Sequence, residues 1–272
     1  MQLTEQHVID RKDPRFAVIE VVYEQEQIQT AVNPALYAGI DIGMDNLVAL
    51  TSNKPGFVPV VVNGRPVKSV NQFYNKRKAE LQKKLGTTGT TKRMERITTK
   101  RNRRINHYMH TTSKWIVDLL VAEGIGTLVI GKNDGWKQGS EMSKQNNQNF
   151  VQIPHARFIQ MLTYKAELVG ITVLITEESY TSKASFLDRD PLPVWSPNDK
   201  TKHTFSGTQV ERGLYRASGK RYIHADVNGA YNIVRKVAPG AFAKGVEDGR
   251  ATPSVVHPVR ITLAKPKKAS GQ

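Results

Sequence analysis

The sequence predicts an α/β fold, a mixed β-sheet with flanking helices and a basic helical insertion. Up to residue 65, short apolar runs rich in β-branched residues are separated by turn residues, which is typical of strands. Apolar residues then recur at helical spacing through two long basic segments, and strand-length and helix-length runs alternate beyond them. With 272 residues, of which 39% are hydrophobic, the chain can bury a full core.

The first part of the sheet is predicted as an antiparallel meander. Apolar residues fill 36–40 and 47–50 on either side of a polar break, and a third run over 56–65 includes the Asn63-Gly64 turn pair. Asp41 directly follows the first run. A carboxylate at the end of a buried strand is costly unless it is paired, hydrogen-bonded or bound to a cation. A solvated turn residue after an ordinary strand explains Asp41 equally well at this point.

Most of the positive charge lies in two predicted helices, over residues 69–85 and 91–123. The whole chain carries a net charge of +16, and residues 68–104 contribute thirteen Lys or Arg against two Glu, a net of +11 in 37 residues. A basic face this dense suits a polyanion, whereas the alternative, a solvated charged face, normally mixes both signs. The predicted nucleic-acid contacts are Lys76, Arg77, Arg93, Arg96, Lys100, Arg103 and Arg104.

A parallel β-α-β crossover is predicted next. It consists of an apolar run over 126–131, a helical pattern over 154–169 and a second apolar run over 171–176. Glu177 and Glu178 follow the second run. Because adjacent strand residues point to opposite faces, only one of the two is expected to share a site with Asp41.

The last predicted helix opens with Asp226. It follows an irregular loop over 187–210 and a basic hairpin over 213–223, and its apolar stripe contains Val227, Ala230, Tyr231 and Val234. A carboxylate in the first turn of a helix is also a common cap, so Asp226 alone identifies no site.

Five motifs, in their order and spacing, resemble one known family. They are Gly39-Ile40-Asp41-Ile42-Gly43 with Asn46-Leu47, then residues 63–71, 144–155, Tyr180-Thr181-Ser182-Lys183 and residues 225–233. This arrangement is similar to the TnpB (OrfB) family carried by insertion sequences, relatives of the type V CRISPR effectors. The resemblance implies a RuvC-like, RNase H-type nuclease fold, in which acidic residues from separate elements converge on two divalent ions.

The resemblance also implies a function. It is that of an RNA-guided DNA endonuclease with a guide RNA and target DNA as partners, Mg²⁺ or Mn²⁺ as cofactor, and a cytoplasmic, nucleoid-associated location in a prokaryote. The implied parts are an N-terminal strand segment over 1–36, the remnant of a wedge-type domain, and a nuclease domain over 37–240. That domain carries the basic insertion over 69–110 and a cysteine-free loop and hairpin over 187–223. A flexible basic tail over 241–272 follows, with a strand-like segment over 253–263, and residues 1–14 are expected to be loose.

One departure concerns the catalytic site. The family commonly places a glutamate where this chain has Gly131. Either the site is inactive or another residue supplies the acid, and we favour the second reading, with Glu178 ahead of Glu177 and Asp134 as an outside candidate. The predicted catalytic residues are therefore Asp41, Glu178, Glu177 and Asp226, and the predicted metal ligands are Asp41, Glu178 and Asp226.

Two further departures concern the surroundings of that site. The family usually carries a four-cysteine zinc module before its last aspartate, and this chain has no cysteine, so neither zinc nor a disulfide is expected. The chain also begins close to the nuclease part, which puts guide-directed cleavage by this polypeptide alone in question. The sequence contains no apolar run of 18 residues, so nothing in it points to a membrane-spanning helix. His155 and His224 are expected to be structural residues.

Two alternatives from other classes stay open. The Gly39–Gly43 motif also resembles the first phosphate loop of actin-like ATPases, but the second Asp-x-Gly turn and the glycine-rich adenosine loop of that fold are missing. The stronger alternative is a protein that binds RNA or DNA without cutting, having kept the fold after losing the glutamate. The sequence does not determine the oligomeric state.

Overall fold

The computed structural model describes residues 3–10, 17–23, 26–86, 89–132, 153–196, 198, 201–243 and 256–263, with the backbone alone for the first two ranges. Its helices are α1 (Arg65–Leu85), α2 (Lys92–Ala122), α3 (His155–Glu167) and α4 (Ala225–Val237). Its strands are β1 (Leu3–Asp10), β2 (Ala17–Tyr23), β3 (Asn33–Ile42), β4 (Asn46–Ser52), β5 (Val60–Asn63), β6 (Ile125–Gly131), β7 (Thr172–Thr176), β8 (Thr208–Glu211), β9 (Leu214–Arg216), β10 (Tyr222–His224) and β11 (Val259–Ile261).

A six-stranded mixed sheet in the order β11-β5-β4-β3-β6-β7 forms the centre of the fold. The antiparallel pairs β3–β4 and β4–β5 confirm the predicted meander, and the parallel pair β6–β7, joined through α3, confirms the predicted crossover. Because β3 is also parallel to β6, the carboxyl ends of β3, β6 and β7 meet at one edge of the sheet. That edge is where Asp41, Gly131 and Glu178 lie.

The two faces of the sheet are covered by different helices. Ile40 and Ile42 point into the larger core, together with residues of α2 and α3, whereas Gly39 lies on the opposite face against α4. A Cβ on Gly39 would lie 2.4 Å from the carbonyl oxygen of Ala230, so the glycine allows α4 to pack directly on the sheet. The predicted apolar stripe of α4 is confirmed, since all four of its residues are buried.

α1 and α2 form the predicted basic helical hairpin. α2 begins where Thr91 accepts a hydrogen bond from the Met94 amide at 3.2 Å, and its second half packs Ile105, Met109 and Ile116 into the larger core. α1 begins at Arg65 instead of at Ser69 as predicted. Pro66 stands in its first turn, where a missing backbone N–H leaves no hydrogen bond unmade.

Three other segments differ from the prediction. The expectation of loose residues over 1–14 is wrong for Leu3–Asp10, which pairs with β2 in a two-stranded antiparallel sheet. The predicted basic hairpin is larger than expected, because β8 joins β9 and β10 in a three-stranded sheet. A strand-like segment was predicted over 253–263, and β11 lies within it, but its parallel pairing with β5 at the edge of the main sheet was not predicted. None of the helices in the described part of the chain is long and apolar enough to span a membrane.

Candidate functional site

Three carboxylates from separate elements lie at one edge of the central sheet. Asp41 is the penultimate residue of β3, Glu178 lies just beyond the end of β7, and Asp226 is in the first turn of α4. All three are half-buried. Burial raises the pKa of Asp41 well above its ordinary value, and repulsion from Asp226 and Glu178 raises it further. Asp226 and Glu178 are therefore close enough to Asp41 to act on its carboxylate.

Two glycines make room for these carboxylates. A Cβ on Gly131, the last residue of β6, would lie 2.6 Å from Oε2 of Glu178, so the Glu178 carboxylate lies against the position where a side chain on residue 131 would begin. A Cβ on Gly229 of α4 would lie 2.7 Å from Oδ2 of Asp41. A side chain at either position would have to displace the neighbouring carboxylate.

Buried amides of α4 hold the segment that carries Glu178. Asn228 and Asn232 are fully buried and donate to the carbonyl oxygen of Ala184 at 2.8 Å each, and Asn232 also donates to that of Thr181 at 2.9 Å. The hydroxyl of Thr181 in turn donates to the Glu178 carbonyl oxygen at 2.9 Å. The position of Glu178 is thus fixed by α4, the helix that also carries Asp226.

A second hydrogen-bonded chain orients Asp226. Nδ2 of Asn46 donates to Oδ2 of Asp226 at 2.6 Å, and Oδ1 of Asn46 accepts from Nη1 of Arg260 at 2.6 Å. The arginine therefore fixes which end of the Asn46 amide faces the carboxylate. The sequence identified Asn46 only as part of a motif and missed Arg260, because no sequence pattern indicated that β11 returns to the sheet beside β5.

Glu177 is engaged elsewhere. Its carboxylate forms an ion pair with Lys236 of α4 and accepts a hydrogen bond from the Ser179 amide at 2.8 Å. Burial alone would raise the pKa of Glu177, but the bonds from Lys236 and Ser179 hold it below its ordinary value. The alternation argument used for the two glutamates does not apply, because β7 ends at Thr176 and both residues lie beyond it. The structure nevertheless brings only Glu178 of the two beside Asp41 and Gly131.

Among the described residues, Asp45, His224 and His155 do not add a further carboxylate to this site. Asp45 forms ion pairs with Lys68 at 3.1 Å and with Arg212. His224 directly precedes α4 and is buried, and burial lowers the pKa of its imidazole, an effect that the nearby Asp226 opposes. His155 is buried at the start of α3. Asp134 and the 144–152 part of the third motif lie outside the described residues.

The charge and the oxygen atoms of the site suit a cation, but the described side chains are not close enough together to form a complete set of metal ligands. No Lys or Arg in the described ranges forms an ion pair with Asp41 or Asp226. Carboxylate oxygens are the ligands that hard divalent cations prefer, and a cation would relieve the repulsion at Asp41. Across the same described ranges, no three His, Asp or Glu side chains are gathered tightly enough to hold a metal ion as they stand. The carboxylate oxygens and their charge therefore fit such an ion, but the carboxylates lie farther apart than in a site that holds one.

The predicted basic face is exposed along α1 and α2. All seven predicted cations are exposed, and one of them, Arg77, forms an ion pair with Glu80 at 2.7 Å. Between the two helices lies a groove lined by apolar and cationic side chains. The exposed aromatic residue in that groove, Phe73, was not singled out from the sequence, because its helical spacing is also that of a buried apolar stripe.

Two aspartates hold together the segment between Glu178 and α4 through hydrogen bonds and an ion pair. Asp190 accepts hydrogen bonds from the amides of Ser185 and Ser206 at 2.8 and 2.9 Å. Asp188 accepts from the Ser185 hydroxyl at 2.6 Å and the Ser218 amide at 3.0 Å, and it pairs with Arg221. The sequence missed both residues, because a Pro-, Asp- and Ser-rich loop shows no periodicity from which contacts can be read.

Two families match successive parts of the chain. The family OrfB_IS605, described as a probable transposase, matches residues 20–137. The Cas12f1-like TNB domain matches residues 155–233. The first match includes the elements from β3 to β6, and the second includes those from α3 to most of α4. No curated protein sequence matches the chain significantly.

Solved structures of larger proteins share the fold. A Cas12f1 chain in a complex with sgRNA and target DNA is 18% identical, with a TM-score of 0.55. A CRISPR-Cas12f ternary complex contains a chain that is 17% identical, with a TM-score of 0.53. Each match covers 80% of this chain and 41% of the solved one, so the chain spans about two fifths of the length of these relatives. At such low identity the likeness shows the fold alone. The two family matches, one to a probable transposase of the OrfB type and one to a Cas12f1-like domain, support the resemblance of the sequence motifs to the TnpB/OrfB family and its type V relatives.

Proposed function

We propose that the chain is a transposon-associated, RNA-guided DNA endonuclease with an RNase H-like (RuvC-type) catalytic domain. Four structural parts support the proposal: a meander that carries Asp41, a parallel crossover, a glutamate just past a strand end, and a late helix that opens with Asp226. Their combination is the one that the sequence motifs imply.

The observation that carries the proposal is the convergence of Asp41, Glu178 and Asp226 at one edge of the central sheet. Asp226 and Glu178 each raise the pKa of Asp41 beyond the effect of burial. Three separate elements thus direct negative charge into one space, and in the described part of the chain no lysine or arginine pairs with Asp41 or Asp226 there. A folded protein keeps such an arrangement at a cost in stability, which is typical of functional sites.

The proposed cofactor is Mg²⁺ or Mn²⁺, held by Asp41, Glu178 and Asp226. When bound, two such ions supply an activated water and stabilise the leaving oxygen of a phosphodiester. Asn46 orients Asp226 for this task, and the turn anchored by Asn228 and Asn232 orients Glu178. Glu177 has no part in it, because Lys236 holds its carboxylate.

The proposed partners are a guide RNA and target DNA. The similar Cas12f1 chain was solved in a complex with sgRNA and target DNA. In this chain, the exposed cations of α1 and α2 form a surface suited to phosphate contacts. Because the chain spans about two fifths of that relative, guide-directed cutting is part of the proposal for the functional assembly, and cutting of single-stranded DNA is its minimal form.

The test is cleavage of single-stranded DNA by the purified chain in Mg²⁺. Asp41→Asn, Glu178→Gln and Asp226→Asn are each expected to lower the cleavage rate by about 100-fold or more, because bound metal supplies several kcal/mol of transition-state stabilisation. Glu177→Gln is the matched control: it changes the adjacent residue in the same way and is expected to retain most of the rate. Loss of cleavage in Glu177→Gln with retention in Glu178→Gln would reverse the assignment of the third acid.

A non-cleaving nucleic-acid-binding protein is the second candidate. The open spacing of the carboxylates and the glycine at position 131 favour it. The same experiment separates the two functions. A wild-type chain that binds RNA or DNA in a salt-sensitive manner, and leaves DNA uncut in Mg²⁺ and in Mn²⁺, would establish the binding function.

A further inference from the structure

The groove between α1 and α2 combines an apolar floor with an exposed aromatic ring. We call it the α1–α2 groove; its lining residues are Val70, Phe73, Tyr74, Arg77, Leu81, Arg93, Ile97, Lys100, Arg101 and Arg104. Phe73 is 62% exposed, so its ring lies at the surface beside the apolar floor. The volume of about 280 Å³ is near the lower end of that of small-ligand sites, enough for one planar group.

Positive charge surrounds this apolar floor. The lining includes five cations and no carboxylate. Arg77 is paired with Glu80, but within the described ranges no carboxylate forms an ion pair with Arg93, Lys100 or Arg104. The groove is therefore complementary to a ligand that carries both an apolar surface and negative charge.

The walls of the groove are held in place by contacts between the two helices. The hydroxyls of Tyr74 and Thr98 lie 3.1 Å apart, within hydrogen-bonding distance. Nε of Arg101 donates to the buried Oδ1 of Asn71 at 2.8 Å, and its guanidinium lies 5.7 Å from the centre of the Tyr74 ring. These contacts fix the spacing of α1 and α2 while Phe73 stays exposed, so the ring is available to a ligand.

An unpaired nucleotide matches this combination. Its base offers a flat face to an aromatic ring, and its phosphates offer negative charge to lysine and arginine, which is how proteins bind single strands. A duplex hides the faces of its bases within the stack and fits a cationic surface without an exposed ring. A purely apolar protein segment would fill the floor but leave the cations unmatched.

We propose that the α1–α2 groove binds an unpaired base of single-stranded RNA, which stacks on Phe73 while Arg93, Lys100 and Arg104 contact the adjoining phosphates. The choice of RNA rests on the proposed function, in which a structured guide RNA is a partner that presents unpaired bases in loops and bulges. The stacking residue is new relative to the predicted phosphate contacts, which are all cations.

The test measures binding by fluorescence anisotropy of a labelled single-stranded RNA, the same sequence as single-stranded DNA, and the RNA as a duplex. The full chain is used in EDTA, so that cleavage cannot interfere. Phe73→Ala and Phe73→Leu are expected to weaken binding of single-stranded RNA about tenfold, since stacking of one base is worth about that much. Phe73→Trp is expected to retain binding, because it keeps an aromatic face.

Trp195→Ala is the matched control, because Trp195 is 60% exposed but does not line the groove. It is expected to leave RNA affinity unchanged. Circular dichroism checks that each variant is folded, as expected for changes at exposed positions.

Three results would overturn the proposal. The first is unchanged RNA affinity in Phe73→Ala, and the second is full retention in Phe73→Leu, which would make the groove an apolar contact instead of a stacking site. The third is an equal loss of affinity for single-stranded DNA, which would remove the preference for RNA. The outcome is independent of cleavage: a chain that never cuts DNA but shows the Phe73 effect retains the groove and loses the nuclease proposal.

Discussion

At the scale of single residues, Asp41 lowers the stability of the metal-free protein. Burial and the charges of Asp226 and Glu178 raise the pKa of Asp41 in the folded state above its value in the unfolded chain. Between those two values the folded state binds more protons, so its free energy of unfolding falls as pH rises through that window. Above the pKa of the unfolded chain, Asp41 is therefore a destabilising residue, which its proposed role as a metal ligand would explain.

Asp41→Asn is accordingly expected to raise the melting temperature of the chain in EDTA at pH 7 to 8. The change keeps the size of the side chain and removes the charge, and each kcal/mol gained corresponds to about 2–4 °C for a chain of roughly this size. The gain relative to wild type should shrink as pH falls toward the ordinary range of an aspartate. Thermal denaturation across pH measures it.

Asp45→Asn serves as the control for this substitution. Asp45 is also half-buried and lies four residues away, but it is paired with Lys68 and Arg212. Its replacement is expected to give no gain in melting temperature. A melting temperature that falls in Asp41→Asn at pH 7 would contradict the view that this carboxylate is repelled in the metal-free fold.

The sequence predicted some of these residues better than others. Asp41 and Asp226 were predicted through the family resemblance, because local patterns alone left a solvated turn open for Asp41 and a helix cap open for Asp226. The choice between Glu177 and Glu178 could not be made physically from the sequence. It depends on Lys236, which is on another element and takes up one of the two carboxylates.

At the scale of elements, the segment from residue 185 to β10 is held together by carboxylates. Asp190 is buried and joins Ser185 to Ser206, and Asp188 joins Ser185 to Ser218 and Arg221. Burial alone would raise the pKa of Asp188, but the bonds from Ser185, Ser218 and Arg221 hold it below its ordinary value. The stability that Asp188 contributes is therefore present at neutral pH and is lost as pH falls through the lowered pKa.

Asp190→Asn is expected to destabilise this segment by about 2–3 kcal/mol. An amide nitrogen would face one of the donors that now bind the carboxylate, and a buried hydrogen bond to a charged group contributes about 1.5–3 kcal/mol. Limited proteolysis between residues 185 and 224 should become faster, and the thermal transition should move down.

EDTA and a surface substitution provide the controls for Asp190→Asn. If carboxylates hold the segment, EDTA leaves its protease resistance unchanged, whereas a chelator-induced increase in cleavage would show that a metal does so. Asp118→Asn removes an exposed carboxylate whose pair with Lys114 is on the surface of α2, and such pairs contribute about 1 kcal/mol or less. It should leave proteolysis within residues 185–224 unchanged.

Helices and strands with regular apolar patterns were predicted more accurately than those without. The meander, the crossover and all four helices have long apolar periodicities, and the structure confirms them. The start of α1 was predicted four residues late, although Pro66 is a recognisable first-turn residue. β8 has one apolar residue in four and was predicted as part of an irregular loop, and the pairing of β11 with β5 depends on a distant strand, which no local pattern shows.

At the scale of the whole molecule, the location of the charge matters more than its sum. The chain has a net charge of +16, and its exposed cations gather on α1 and α2. Some lysines already form ion pairs, such as Lys54 with Glu123 and, in the second half of α2, Lys114 with Asp118. A polyanion that binds in one place should therefore respond to the loss of some cations and not of others.

Two double variants with the same loss of charge test this point. Arg96→Gln with Arg103→Gln removes two exposed cations of the basic face that do not line the α1–α2 groove, and Lys54→Gln with Lys114→Gln removes two cations from surface ion pairs. For single-stranded nucleic acid, each phosphate contact contributes about 0.7 to the slope of log affinity against log salt. The first variant is therefore expected to flatten the slope by up to about 1.4, and the second to leave it unchanged. Because both variants change the net charge equally, equal slopes would mean that binding follows total charge, and that the basic face of α1 and α2 is a solvated surface with no dedicated partner.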